Sequence, residues 1–116
     1  MKFKLIVTIV SDEKADDILD AARKAGATGC TVITNARGEG LNPPKTFFGL
    51  TLTGQSDVVL VVVEAHMSRQ ILEAIGEAGQ FDAEPGSGVV FQVDIEDVVG
   101  LASQIPALQE EIEDKI

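Results

Sequence analysis

The chain has 116 residues, 45% of them hydrophobic, which suits one domain around a single core and leaves too little for two. Nine basic against 19 acidic side chains give a formal charge of -10, a field that opposes adhesion to a nucleic-acid backbone or an anionic membrane. A single cysteine, Cys30, excludes an internal disulfide framework. The longest aliphatic run, Val58 to Val63, falls far short of the roughly 20 residues of a spanning helix. With no secretory-type opening, the expectation is a cytoplasmic protein with no nucleic-acid partner and no direct membrane insertion.

Phe3 to Val10 reads as a first strand, rich in Leu, Ile and Val. Ser11 or Asp12 is the expected cap of a helix that carries Ala15, Ile18, Leu19, Ala22 and Ala25 on one face and leaves Lys14, Asp17, Asp20 and Lys24 to solvent. Gly26 stops it. Thr28 to Ala36, with β-branched Thr31, Val32, Ile33 and Thr34, is the second strand. Arg37-Gly38-Glu39-Gly40 and Pro43-Pro44 then force a projecting loop before Thr46 to Thr51 extends again.

After a turn at Thr53 to Ser56, Val58 to Val63 is the third strand. A second helix begins at or just before Ser68, bears Ile71, Leu72, Ile75 and Ala78 on one face, and ends at Gly79. Phe81 to Gly88 is a loop with Pro85-Gly86-Ser87-Gly88 at its tip, and Val89 to Val93 is the fourth strand. Beyond Gly100, Ile105, Leu108 and Ile112 suggest a short acidic helix.

Ile18-Leu19-Asp20-Ala21 recurs as Ile71-Leu72-Glu73-Ala74, and Ala25-Gly26 as Ala78-Gly79, both 53 positions later. Each copy lies between two strands, so the chain is two β-α-β halves in tandem, an α+β, ferredoxin-like βαββαβ plan with an antiparallel sheet. The first and third strands are apolar at nearly every position, whereas a sheet with helices on one side and water on the other alternates. Both faces therefore need cover. Two helices supply one, and the expected source of the other is a further copy of the chain.

Little here suggests catalysis. His66 and Cys30 are each alone of their kind, so one chain cannot build a compact His/Cys metal centre. Cys30 reads as a small buried strand residue and His66 as a surface or capping residue. Asp16, Asp17, Asp20, Glu73 and Glu77 fall on solvent faces of helices, and no spacing singles out a buried or charge-paired carboxylate for acid–base work. The two glycine segments, Arg37 to Gly40 and Gly86 to Gly88, are different. Glycine admits positive φ and lets backbone amides approach an anion, although neither segment is a P-loop or a dinucleotide fingerprint.

Gly26-Ala27-Thr28-Gly29-Cys30-Thr31-Val32 entering the second strand and Gly86-Ser87-Gly88-Val89-Val90-Phe91 entering the fourth resemble the P-II signal-transduction family over roughly residues 2–102. That resemblance implies a PII-like domain over 1–102 and an acidic extension, expected as a short helix, over 103–116. It implies a non-enzymatic homotrimer that binds an adenine nucleotide between subunits and regulates a transporter, an enzyme or another regulator. Thr31 and the backbone near the glycines would seat the adenylate, Gly86, Ser87, Gly88 and Val89 would cradle phosphates, and Arg37, Gly38, Glu39 and Gly40, which open the projecting loop, would complete the nucleotide-binding set.

Three departures narrow the reading. Val89 stands where the family loop normally carries a lysine, and Val98-Val99-Gly100-Leu101 lack the family's basic residues. Without those charge-assisted hydrogen bonds, AMP, ADP or another small anion is the expected ligand, and ATP with magnesium is disfavoured. The sequence contains no Tyr and no Gln between Ala36 and Leu52, which rules out tyrosine uridylylation and speaks against 2-oxoglutarate sensing. The segment from Gly38 to Thr46 is the expected partner-facing switch. A CutA-like divalent-cation tolerance protein or another small-ligand regulator is the alternative on the same fold plan.

Overall fold

The structure, a computed structural model, describes residues 1–38 and 55–101. Strand β1 spans Phe3–Ser11, helix α1 Ala15–Lys24, strand β2 Thr31–Ala36, strand β3 Ser56–Glu64, helix α2 Ala65–Gly79 and strand β4 Gly88–Ile95. The four strands form an antiparallel sheet in the order β2-β3-β1-β4, with β2 and β4 at its edges. This is the expected ferredoxin-like arrangement. The expected extended segment at 46–51 and the terminal helix at 103–116 lie outside the described residues, as do Glu39 and Gly40.

Register separates the two faces. Ile6 pairs with Val61, Thr8 with Val59 and Val10 with Asp57, and these face the helices. Against them pack Ile18 and Ala22 of α1 and Met67, Ile71 and Ile75 of α2, all buried. Each fully buried Ile contributes about 1.5–3 kcal/mol relative to leaving it in water. Ile18 and Ile71, equivalent in the repeated segment, both lie in this core.

The opposite face carries Leu5 beside Val62, Val7 beside Leu60 and Ile9 beside Val58, flanked by Val93, Phe91 and Val89 of β4 and Ile33 of β2. No helix among the described residues covers it, and Ile33, Val62, Phe91 and Val93 are 48%, 40%, 39% and 44% exposed. The apolar character read on both sides of β1 and β3 is thus a helix-packed side and an open apolar side.

Several boundaries differ from expectation. β2 starts at Thr31 because ladder pairing begins with Thr31 opposite Leu60; before it, Gly26 turns at φ 117° and the Ala27 amide donates to the Ala22 carbonyl. β3 starts at Ser56, which pairs with Ser11 instead of turning. Ser11, still in the β1 ladder, makes no side-chain cap, and the chain enters α1 through a 3-10 turn at Asp12–Lys14. α2 starts earlier than read, capped by Glu64, whose carboxylate accepts the His66 amide at 2.6 Å. Gly79 is the last residue of α2, but the left-handed position falls on Gln80, at φ 56°.

Candidate functional site

The described candidate residues fall on two edges of the sheet. Thr31 opens β2, exposed, and lines a cavity of ≈ 340 Å³ with Leu5, Thr28, Gly29, Cys30, Leu60 and Leu101. Gly88 and Val89 open β4, opposite Val10 and Ile9. Since β3 and β1 intervene, these two groups are three strand spacings apart, about 14 Å at about 4.8 Å per spacing. One chain therefore does not bring Thr31 and the Gly86 loop together.

Arg37 and Gly38 follow β2 and are exposed. They share one end of the sheet with the Gly86 loop, because Ala36 pairs with Ser56, Ser56 with Ser11, and Gly88 with Val10 beside it.

The loop between α2 and β4 is closed by its own hydrogen bonds. The Phe81 amide donates to the Gly76 carbonyl, the Glu84 amide to that of Gln80 at 2.8 Å, and the Ser87 amide to that of Glu84 at 3.1 Å. The Ser87 hydroxyl donates to the Gln80 carbonyl at 3.5 Å. Gly86 adopts φ 80°, the left-handed conformation expected of a glycine in an anion-binding turn. The amide of Ser87, however, points at Glu84 and is already engaged, which leaves a smaller cradle than the glycine spacing implies.

Val89 is half-buried, and with Val90, Leu72, Gly76 and Phe81 it lines a groove of ≈ 690 Å³ between α2 and β4. No cation stands at position 89, as read.

A cation that reaches this loop comes from the other half of the chain. Lys14, expected to face solvent, instead donates from its Nζ to the Gly79 carbonyl at 3.0 Å and to Glu84 Oε2 at 2.9 Å, with its side chain 28% exposed. No spacing in the sequence signals a pair 70 residues apart. It follows from the β1–β4 pairing, which sets the turn after Ser11 beside the end of α2.

Two further expectations need correction or restatement. Cys30, read as a small buried strand residue, is exposed and lies one residue before β2 begins. His66 is exposed in the first turn of α2, a surface residue as read. Among the described residues no three or more His, Cys, Asp or Glu side chains are grouped to hold a metal ion, and no helix is long and apolar enough to cross a membrane.

A small antiparallel sheet backed by two helices, in the order β2-β3-β1-β4, is a ferredoxin-like domain. The family model for nitrogen regulatory protein P-II matches residues 3–104, and the chain belongs to that family. Among solved structures it is similar to a PII-like signaling protein from Thermus thermophilus, at 17% sequence identity and a TM-score of 0.61, covering 82% of this chain and 87% of that one. At that identity the likeness speaks for the fold. Comparison with curated proteins finds no match. As a divergent P-II family member, the chain is a non-catalytic signalling and regulatory protein.

Proposed function

We propose that this chain assembles as a homotrimer, binds AMP or ADP in the clefts between subunits, and through that ligand regulates a partner transporter, enzyme or regulator. The observation that carries this reading is the separation of Thr31 and the Gly86 loop onto opposite edge strands, β2 and β4. Edge strands of neighbouring copies can meet where those of one copy cannot, so a site needing both groups is a site between copies. The open face bearing Ile33, Val62, Phe91 and Val93 supports the same assembly, since contiguous exposed apolar surface of this kind is characteristic of interfaces.

Preference for a short phosphate chain follows from Val89 and from the uncharged run Val98 to Leu101, which offer no ammonium or guanidinium to distal phosphates. ATP with magnesium is the disfavoured ligand. On sequence grounds the segment 38–46 is the partner-facing element; beyond Gly38 it lies outside the described residues.

Native mass spectrometry with AMP, ADP or ATP tests subunit number and ligand count together. Three chains carrying up to three AMP or ADP molecules is the expected result. A stable monomer would sink the assembly, and tighter ATP than AMP binding would sink the ligand order.

A further inference from the structure

We infer that Lys14 is a phosphate-binding cation of this protein, and that Glu84 holds its place until a nucleotide monophosphate displaces it. The inference rests on the proposed nucleotide site and names the contact that decides how short the phosphate chain must be. Four observations converge on it. Val89 supplies no charge at the start of β4. The Ser87 amide and hydroxyl and the Glu84 amide are already engaged within the loop. Lys14 reaches the loop from the far end of β1, held in place by the Gly79 carbonyl as well as by Glu84. Its carboxylate partner is the more accessible half, 53% exposed against 28% for the lysine.

An exposed carboxylate on a partly sheltered ammonium is readily exchanged for another anion, because water already solvates much of the pair and little is lost when it opens. A phosphate offers more acceptor oxygens to the same ammonium, with the Gly79 carbonyl keeping Lys14 aimed. One ammonium matches one terminal phosphate, and longer chains find no second cation on Val89 or on Val98 to Leu101.

Calorimetric titration with AMP, with ADP and, separately, with inorganic phosphate tests this on the full chain and on Glu84→Gln, Lys14→Met and Lys14→Arg, each checked for native circular dichroism. Glu84→Gln removes the competing charge and should tighten AMP about threefold or more; Lys14→Met should weaken it about tenfold, and Lys14→Arg should stay near the parent. If the parent binds AMP and Glu84→Gln and Lys14→Met bind it equally well, the inference falls while the nucleotide reading stands. Should Lys14→Met fail to fold, an unchanged affinity in Glu84→Gln overturns the inference by itself. No binding of AMP or ADP to the parent or to Glu84→Gln overturns both.

Discussion

The ring of Phe81 occupies the space that a side chain at Gly88 would need. A Cβ built there runs into Phe81 and stands 2.9 Å from the Ile9 carbonyl oxygen, and a Cβ on Gly79 meets the same ring. The glycine-rich start of β4 therefore has a packing reason independent of any ligand: Phe81 is seated between the end of α2 and the first pair of the β1–β4 ladder.

Gly88→Ala should lower stability by about 1–3 kcal/mol in urea titration, as overpacking does. Combining it with Phe81→Leu should recover part of that loss, since the ring can be removed and the Ile9 carbonyl cannot. Additive losses in the double variant would show that the ring is not the obstruction.

Thr8 is fully buried on the helix side of the sheet, and its hydroxyl has no hydrogen-bond partner among the described residues. A buried, unpaired hydroxyl costs stability that a methyl of similar shape does not. Thr8→Val is expected to raise the free energy of unfolding by about 1 kcal/mol. A loss of that size would mean that the hydroxyl is bonded.

Phe91 and Val93 lie on the open face of edge strand β4. Phe91→Asp should turn the proposed assembly of three times 12.3 kDa into a single chain by light scattering, with helix and strand content kept. An unchanged mass would place the interface elsewhere.

Gln80 holds a left-handed conformation at the end of α2, where glycine carries no Cβ penalty. Gln80→Gly should stabilise the chain by about 0.5–1 kcal/mol, read as a higher denaturation midpoint. A lower midpoint would show that the Gln80 side chain, which lines the groove beside Phe81, contributes more than its backbone strain costs.

The order of elements was legible because periodicity records burial. Ile18, Ala22, Ile71 and Ile75 repeat at helical spacing and all reach the core, and the largely apolar β1 and β3 do have two apolar faces. Local polar chemistry was less so. Ser11 has the composition of a helix cap, yet its place in the ladder opposite Ser56 takes it out of that role, and Glu64 caps α2 instead. Cys30 reads as strand and stands just outside it.

The glycine segments were found from their conformational freedom, and Gly86 does use it. The contact from Lys14 to Glu84 was hidden because it depends on which strands become neighbours, and a lysine in a β1–α1 connection looks like any solvent-facing lysine.

A site divided between β2 and β4 has a genetic consequence. In the ring of three proposed above, each cleft would take Thr31 from one subunit and the Gly86 loop from the next. A chain altered at Thr31 and a chain altered in the Gly86 loop would each be inert as a pure assembly, but any ring containing both kinds would regain one cleft with two unaltered halves. Defects at opposite edges of the sheet would complement one another in a cell expressing both, whereas two defects on the same edge would not.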